Sequence, residues 1–573
     1  MRAADTRIPA AVSKLAERDA GSGPPGALLD VIVVGAGFAG VYALYKFRRL
    51  GFSVQAFEAG GDVGGTWYWN RYPGARCDVE SLEYSYQFSE ELQQEWSWSE
   101  RYSGQPEILR YANHVADRFD LRRDIEFGRR VMSTHFDEAA SGWRIEVAAA
   151  DGAASPPLDR DGNGNRAGNE IVFARFVVMA TGCLSAANLP EFRGIEDFEG
   201  AKYHTGAWPH EGVDFTGLRV GIVGTGSSAI QAIPVIAGEA AHLTVFQRTP
   251  NYSIPAHNGA MDREREAEVK GEYPAFRQRN KLMPAGLGAD MNPMLDAFAE
   301  VSPEERQRRF EERWEYGGFS FMASLADMLA SQEANDAAAK FVREKIRGIV
   351  DDPEVADLLS PDNVIGCKRI CLDSGYFETF NRSNVTLVDV SSAPIEKITK
   401  SGLRTGGRDH ELDAIVFATG FDAMTGALAR IDIRGRGGRT LRSKWEDGPR
   451  AYLGLGVAGF PNLFVITGPG SPSVLSNMLP SIEQHVDWIA DCMAWMRDRG
   501  HAAIEATPEA EDEWVAHVGE VAGATLYPTC NSWYLGANVP GKPRVFMPYL
   551  GFPPYVEKCD AVAANDYEGF ELS

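Results

Sequence analysis

The chain has 573 residues, 44% of them hydrophobic and 24% charged, and its formal net charge at pH 7 is −23. This length is too great for a single hydrophobic core, so about two to four domains are expected. The acidic balance excludes nucleic acid and anionic membrane surfaces as expected partners, because both attract basic proteins.

The N-terminal segment and the cysteines predict a cytoplasmic protein. Residues 1–29 are rich in Ala, Gly, Pro and charge and lack the apolar core of a signal peptide, which predicts a flexible arm. No apolar run approaches the roughly 18 residues of a membrane span. The seven cysteines form no CxxC pair, so reduced thiols are expected. Cys367 and Cys371, on either side of a Lys-Arg pair, are interpreted as packing residues rather than a redox pair.

The first motif is a nucleotide-binding turn between two predicted strands. An apolar run over 30–34 predicts a buried strand, GxGxxG follows over 35–40, and a helix is expected over 41–50. The glycines suit a dinucleotide pyrophosphate at the N-terminus of the helix. The second strand, over 53–57, ends in Glu58, which would accept hydrogen bonds from a ribose and repel a 2′-phosphate.

A glycine-rich aromatic loop follows over 64–78, with the sequence GGTWYWNRYPGARCD. So many aromatic residues in one loop predict a wall around a flat ring, and the alternative is an aromatic patch of the core. The region carries no cysteine pair, which disfavours a flavoprotein of the disulfide reductase class.

A second nucleotide-binding turn begins after the apolar run over 218–223. It reads GTGSSA over 224–229, with alanine in place of the third glycine. The next predicted strand, over 243–246, ends in Gln247-Arg248-Thr249 rather than in an acid. An arginine beside a hydroxyl suits a 2′-phosphate and favours NADPH over NADH, although Arg248 could also be a solvated surface charge.

These patterns predict the α/β fold class, with two Rossmann-like dinucleotide-binding domains and a helical insertion. The first domain is expected over 30–172 and 421–573, with an exposed loop over 151–169. The second domain is expected over 173–255 and 362–420. The charged helical pattern over 256–361 predicts an insertion in the second domain. Two Ala-Thr-Gly turns, at 180–182 and 418–420, follow apolar strands where the chain is expected to cross between domains.

Residues 198–209, between the two glycine motifs, read FxGxxxHxxxWP. With the aromatic loop, this segment resembles the fingerprint of the type I Baeyer–Villiger monooxygenases, most closely the phenylacetone and steroid monooxygenases. The resemblance covers residues 30–572. It implies that the first domain binds FAD and the second NADPH. It also implies that the enzyme converts a ketone to an ester or lactone with O2 through a C4a-peroxyflavin.

The resemblance also implies the site residues. Lys368-Arg369 occupies the motif position of the family's catalytic arginine, so Arg369 is expected to be catalytic, Asp78 to orient it and Lys368 to contact the NADP phosphate. Arginine suits a developing anion because it stays protonated, and the alternative is a purely structural Arg–Asp pair.

The expected cofactor and substrate contacts form three sets, and no metal is expected. The FAD contacts are Gly35, Gly37, Phe38, Gly40, Glu58, Gly65, Thr66, Trp67, Asp78, Tyr84, Val131 and Met478. The NADP contacts are Arg76, Gly224, Thr225, Gly226, Ser227, Ser228, Arg248, Thr249, Lys368, Arg369 and Trp533. The substrate pocket is expected to be shaped by Ser473, Val474 and Leu475.

Other functions fit these residues less well. A flavin-containing monooxygenase that oxidises nitrogen or sulfur usually lacks Trp208-Pro209 and would not need Arg369. A non-catalytic regulator would leave two complete cofactor sites unexplained. His204 is expected to pack rather than to act as a base. The expected partners are a ketone and O2, without nucleic acid or membrane, for a monomer or weak oligomer. The identity of the ketone and the conformation over 551–555 stay open.

Overall fold

The computed structural model describes residues 28–150 and 170–573. The expected arm lies outside the described residues except at positions 28 and 29, and the expected loop over 151–169 lies outside them entirely. Leu29 already pairs with Ala174 and belongs to the first strand, so the arm ends before it. Within the described ranges, no helix is long and apolar enough to cross a membrane.

Strands and helices alternate along much of the described chain. The strands are β1 (Leu29–Val34), β2 (Val54–Glu58), β3 (Ile125–Phe127), β4 (Arg129–Asp137), β5 (Gly142–Ala149), β6 (Glu170–Met179), β7 (Ala201–His204), β8 (Arg219–Val223), β9 (His242–Gln247), β10 (Ser253–Pro255), β11 (Cys371–Asp373), β12 (Val385–Asp389), β13 (Ile395–Thr399), β14 (Gly402–Thr405), β15 (Arg408–Glu411), β16 (Ala414–Phe417), β17 (Asp432–Arg434), β18 (Leu463–Val465), β19 (Ile504–Ala506) and β20 (Phe570–Leu572). The helices are α1 (Phe38–Arg49), α2 (Thr66–Trp69), α3 (Glu90–Glu95), α4 (Gln105–Arg118), α5 (Ser227–Glu239), α6 (Arg263–Gly271), α7 (Tyr273–Lys281), α8 (Pro303–Tyr316), α9 (Gln332–Ile349), α10 (Pro353–Leu359), α11 (Tyr376–Thr379), α12 (Gly426–Ala429), α13 (Leu441–Lys444), α14 (Met478–Arg499), α15 (Pro508–Gly523) and α16 (Phe552–Ala564). The α/β fold class is therefore confirmed.

The larger sheet gathers strands from both ends of the chain, in the order β17–β4–β5–β6–β1–β2–β3. Strand β18 pairs in parallel with the C-terminal half of β6, whereas β5 pairs with its N-terminal half. Alternate side chains of a strand face opposite sides of a sheet. Val31 and Val33 therefore enter the core that includes α1 and α14, and Ile32 and Val34 enter the core on the other face.

The boundary expected between residues 172 and 173 is wrong, because it falls inside β6. This strand continues to Met179 and pairs with β1 along Phe176–Met179. The apolar run that predicted a strand there completes the first sheet rather than opening the second domain.

The second sheet is parallel throughout, in the order β12–β9–β8–β16–β7. Strand β7 carries part of the segment between the two glycine motifs and lies at one edge, paired with β16. Helix α5 packs on this sheet through a buried apolar face that includes Ile230, Ile233 and Ile236. The arrangement is that of a Rossmann-like unit with its glycine turn after β8.

The helical segment over 256–361 divides between two cores. Helices α8, α9 and α10 belong to the same hydrophobic core as α5, to which they contribute for example Phe310 and Phe341. In α6 and α7, by contrast, Val269, Tyr273 and Phe276 pack in the core of the first sheet. The expectation that the whole insertion belongs to the second domain is therefore wrong for α6 and α7, whose apolar side chains are buried against the first.

Candidate functional site

The two glycine turns share one backbone plan. Gly35 has φ = 106°, and a Cβ added there would lie 2.6 Å from the carbonyl oxygen of Ala180. Gly224 has φ = 113°, and its added Cβ would lie 2.5 Å from the carbonyl oxygen of Ala418. Each glycine therefore packs against one of the two Ala-Thr-Gly turns. The helices that follow, α1 and α5, begin without a side-chain cap, so their first N–H groups suit a pyrophosphate.

The aromatic loop packs directly on the first turn. The N–H of Gly64 donates to the carbonyl of Ala36 at 3.1 Å, which places the start of α2 beside the glycine turn. Thr66 is exposed there, whereas Trp67 is buried and donates from Nε1 to the Tyr84 hydroxyl at 3.1 Å. The loop therefore presents a hydroxyl and a fixed indole beside the turn, as a wall for a flat ring requires.

Glu58 closes the end of β2 and is 6% exposed. Its carboxylate accepts the N–H groups of Ala36 and Gly60, both at 2.7 Å. Burial raises the pKa of Glu58, although these two donors oppose the rise. The Trp69 side chain is a further donor to this carboxylate. A carboxylate has about four lone-pair sites, so room remains for a ribose hydroxyl. The residue fits a dinucleotide without a 2′-phosphate.

Two cations face each other at the end of β9. Arg248 is exposed and Lys368 is half-buried, and neither has a carboxylate within ion-pair distance among the described residues. Burial and the charge of Arg248 together lower the pKa of Lys368. Thr249 follows, and its carbonyl accepts from the Thr225 hydroxyl at 2.9 Å, which ties the strand end to the glycine turn. Asp362 offsets the lowering of the Lys368 pKa only in part, so the two like charges fit the phosphate of NADP.

The expected catalytic pair is formed. Nε of Arg369 lies 3.3 Å from Oδ2 of Asp78, and Nη1 donates to the carbonyl of Val474 at 3.3 Å. The guanidinium also lies 5.0 Å from the centroid of the Phe319 ring. Burial raises the pKa of Asp78, which Arg369 opposes. Burial alone would lower the pKa of Arg369, but Asp78 together with Tyr534, Cys77 and Tyr84 more than offsets this and raises it. The arginine therefore stays protonated.

Gln231 on α5 holds the loop that carries Asp78, and the sequence analysis missed it. Its Nε2 donates to the carbonyl of Arg76 at 3.1 Å and to Oδ1 of Asp78 at 3.3 Å. Its Oε1 accepts from the Tyr72 hydroxyl at 2.8 Å. A single amide inside the apolar run AIQAIPVI was the available signal. Gln231 links the second domain to the aromatic loop of the first.

Ser473, Val474 and Leu475 form a short 3₁₀ turn before α14. Ser473 and Val474 are buried and Leu475 is partly exposed. Their apolar surroundings include Tyr527, Tyr534, Phe546 and Met547. The turn thus carries the carbonyl that meets Arg369 and stands beside an apolar cluster.

Cys367 and Cys530 form a disulfide, so the expectation that all seven cysteines are thiols is wrong. The interpretation of Cys367 as a packing residue is corrected with it. The two residues are 163 positions apart, and only the fold brings them together. The bond joins the segment before Lys368-Arg369 to the segment that carries Trp533, whose ring lies 4.2 Å from that of Tyr534.

The remaining expected contacts are more scattered. Phe38 is buried against Tyr84, Val131 is buried on β4, and Met478 is the partly buried first residue of α14. Gly37, Gly40 and Gly65 lie at the first turn, and Gly226, Ser227 and Ser228 at the second.

Arg76 and His204 are engaged by the protein itself. The guanidinium of Arg76 bonds to the Glu100 carboxylate and to the Tyr102 carbonyl, which leaves it turned toward the first domain. His204 lies in β7, where Nδ1 accepts the N–H of Gly206 at 3.0 Å. Burial lowers the pKa of His204.

Comparisons with known proteins agree with this geometry. A model of NAD(P)-binding Rossmann-like domains matches residues 33–89. A Baeyer–Villiger monooxygenase from Pseudooceanicola batsensis is 44% identical over 549 residues, which cover 95% of this chain and 96% of that protein. A phenazine N-monooxygenase from Lysobacter antibioticus is 40% identical over 550 residues, which cover 95% and 97%. The structure of an oxidised steroid monooxygenase bound to NADP has a TM-score of 0.87 at 52% identity and covers 95% of this chain and 99% of that one.

Proposed function

The chain belongs to the Baeyer–Villiger monooxygenases, and on that premise we propose that Arg369, held by Asp78, is the catalytic cation of its ketone oxidation. The enzyme uses FAD and NADPH. In the balanced reaction a ketone, O2, NADPH and a proton give an ester or lactone, water and NADP⁺. Bound FAD would supply the activated oxygen and NADPH the electrons.

The observation that carries the proposal is the position of Arg369 between two parts of the molecule. Asp78 in the flavin-side loop binds one edge of the guanidinium, and the Val474 carbonyl binds another. The side chain is thereby oriented from both sides. A fixed, permanently charged donor stabilises negative charge that develops on oxygen during transfer to a carbonyl, without needing to reorganise first.

Arg248 and Lys368 support the choice of NADPH. Among the described residues neither forms an ion pair with a carboxylate, although Asp362 acts on Lys368 at longer range. A 2′-phosphate would supply a direct acidic partner through charge-assisted hydrogen bonds. Thr249, which follows Arg248 directly in the sequence, carries a hydroxyl. We assign these three residues to the phosphate and the glycine turn after β8 to the pyrophosphate.

The turn 473–475 is proposed to form one wall of the ketone pocket. It supplies the carbonyl that fixes Arg369, and its side chains adjoin the apolar cluster around Tyr534 and Phe546. Apolar walls recognise the ketone's hydrocarbon part, and the polar groups at Arg369 face its reacting end. The size of the ketone is then set by Val474 and Leu475.

Oxidation of nitrogen is the second candidate, because a phenazine N-monooxygenase is among the similar proteins. Product analysis separates the two. Purified holoenzyme with NADPH and O2 should convert at least one of a panel of linear, cyclic, aromatic and steroidal ketones to an ester or lactone, detected by mass spectrometry. A panel of tertiary amines, sulfides and phenazines runs beside it. Oxygenation of those compounds with every ketone unchanged would replace the proposal by the second candidate.

We further propose that the enzyme is a cytoplasmic monomer or weak oligomer. The net charge of −23 favours dispersed molecules through mutual repulsion. Five of the seven cysteines are buried thiols, as is usual in a reducing compartment, and the Cys367–Cys530 bond is the exception. Light scattering of the purified holoenzyme measures its state of association.

A further inference from the structure

A buried histidine on α14 contacts the loop 467–475, whose Val474 carbonyl bonds to Arg369. His485 has no exposed surface, and its Nδ1 accepts the N–H of Thr467 at 2.9 Å. Its Nε2 lies 2.9 Å from the hydroxyl of Tyr555 on α16, and that hydroxyl donates to the carbonyl of Leu453 at 2.7 Å. The network thus assigns the neutral tautomer with its proton on Nε2, which donates to Tyr555.

The residues that this network binds have unfavourable backbone conformations. Leu453 and Thr467 have φ values of 56° and 55°, and Ser473 has 42°. Non-glycine residues in this left-handed region persist only where their surroundings hold them. Tyr555 bonds to the carbonyl of Leu453, and His485 bonds to the N–H of Thr467. The Ser473 hydroxyl then donates to the carbonyl of Thr467 at 3.3 Å.

The loop between Thr467 and Leu475 is also held in its middle by the segment before α16. The N–H of Gly470 donates to the carbonyl of Met547 at 2.7 Å, and the N–H of Tyr549 donates to the carbonyl of Ser471 at 2.8 Å. Near the C-terminal end of the loop, the Val474 carbonyl accepts a hydrogen bond from Nη1 of Arg369. A continuous set of contacts therefore connects the C-terminal helix with the guanidinium.

We propose that His485 and Tyr555 are positioning residues, which hold the loop 467–475 so that the Val474 carbonyl and Arg369 keep their relative arrangement. The inference rests on the function proposed above. Neither side chain is bonded to Arg369, so both act only through the loop. Burial lowers the pKa of His485 to about 3, so the imidazole stays neutral and continues to accept the N–H of Thr467 at working pH.

The test variant is Tyr555→Phe, which removes one hydroxyl and leaves the Leu453 carbonyl and the His485 N–H without their partner. The matched control is Tyr111→Phe. The Tyr111 hydroxyl is buried in the same core and accepts the N–H of Tyr86 at 2.9 Å, away from the loop. Both variants lose one buried hydroxyl, so both should lose similar thermal stability.

Ester formed per NADPH should fall on the order of tenfold in Tyr555→Phe, because misplacement by about 1 Å can cost up to about a hundredfold. The preference among ketones of different size should change as well. FAD content and the KM for NADPH should stay unchanged. Hydrogen exchange of the peptide 467–475 should accelerate. Tyr111→Phe should change none of these readouts.

Two outcomes separate the inference from its premise. If Tyr555→Phe keeps the unmodified ester yield, ketone preference and hydrogen exchange, His485 and Tyr555 do not position the loop. If the unmodified enzyme makes no ester from any ketone, the proposed function fails. Hydrogen exchange of the peptide 467–475 then still tests the inference. Faster exchange in Tyr555→Phe, but not in Tyr111→Phe, supports the positioning of the loop by His485 and Tyr555, and unchanged exchange overturns it.

Discussion

The two nucleotide-binding turns have the same backbone conformation and differ in the residue at the end of the strand that follows each turn. At the end of β2, Glu58 is buried and accepts two backbone N–H groups of its own domain. At the end of β9, Arg248 is exposed and bonds to no other described residue. A carboxylate that is bound to backbone N–H groups of its own domain repels a phosphate, whereas a cation without a bonded partner attracts one. We therefore propose that the glycines allow a dinucleotide to bind and that the residue at the strand end selects which dinucleotide it is.

The proposed reaction site belongs to neither turn alone. Asp78 comes from the first domain, and Arg369 follows the helices inserted in the second. Gln231 on α5 bonds to both the Asp78 side chain and the loop that carries it. Variants at Arg369 test the junction, which is the contact between Arg369 and Asp78 across the two domains. Variants at Arg248 test the second turn and variants at Glu58 the first, and the expected effects decrease in that order.

The largest effect is expected at the junction. Arg369→Ala should lower ester formation on the order of 100- to 1,000-fold, because a preorganised donor is lost from a buried site, while FAD stays bound. Asp78→Ala should give a weaker form of the same defect. Ester formed per NADPH and rapid-mixing spectra of the flavin after oxygen is added measure both.

Arg48→Ala is the control for that variant, because it breaks an arginine–carboxylate pair with Asp124 at 2.9 Å, and Arg48 lies in the last turn of α1, at the opposite end of that helix from the glycine turn. It should keep full ester formation. Equal ester formation by Arg369→Ala and the unmodified enzyme would refute the catalytic assignment.

An intermediate effect is expected at the second turn. Arg248→Ala should raise the KM for NADPH on the order of 10- to 100-fold, since a charge-assisted contact contributes about 1.5–3 kcal/mol. The KM for NADH should barely change, because NADH lacks the 2′-phosphate. Steady-state kinetics with both cofactors measures the split. Arg408→Ala, which removes another exposed arginine of the second domain, should alter neither value. A parallel rise for both cofactors would mean that Arg248 does not bind the phosphate.

The smallest effect is expected at the first turn. In Glu58→Gln the amide nitrogen would face one of the two N–H donors, so that donor loses its acceptor. FAD affinity should fall about tenfold, in line with one hydrogen bond to a charged group. Titration of the apoenzyme with FAD, followed by flavin fluorescence, measures it.

The control for Glu58 is Glu107→Gln, which alters another buried glutamate that accepts a backbone N–H, from Ser99 at 3.0 Å. It should leave FAD affinity unchanged. An unchanged affinity in Glu58→Gln as well would show that the first turn does not depend on its acid.

Local patterns predicted the fold class and the pairs of elements around each turn, because a buried strand, a glycine turn and an amphipathic helix are encoded within about 30 residues. The helix after the first turn begins at Phe38 rather than at residue 41, since Gly37 is already its N-cap. The Arg369–Asp78 contact was expected only through the family resemblance, because 291 positions separate the two residues in the chain.

Features that depend on packing partners could not be predicted. The apolar pattern of α6 and α7 in the sequence would be the same whether these helices packed on the first core or on the second. The partnership of Cys367 with Cys530 is invisible in a chain with no CxxC pair. His485 lies on the buried face of an amphipathic helix, where a histidine most often only packs, so its bond to the Thr467 N–H carried no signal in the sequence.

The pairing of β18 with β6 sets an order of events during synthesis of the chain. All strands of the second sheet lie between Ala201 and Phe417, so that sheet can be completed while the first still lacks β17 and β18. The C-terminal half of β6 must wait for Leu463 to leave the ribosome, some tens of seconds later at about 5–20 residues per second. During that interval an apolar strand edge stays open to wrong partners. The discontinuous domain, rather than either cofactor site, is therefore where the nascent enzyme most needs protection from aggregation.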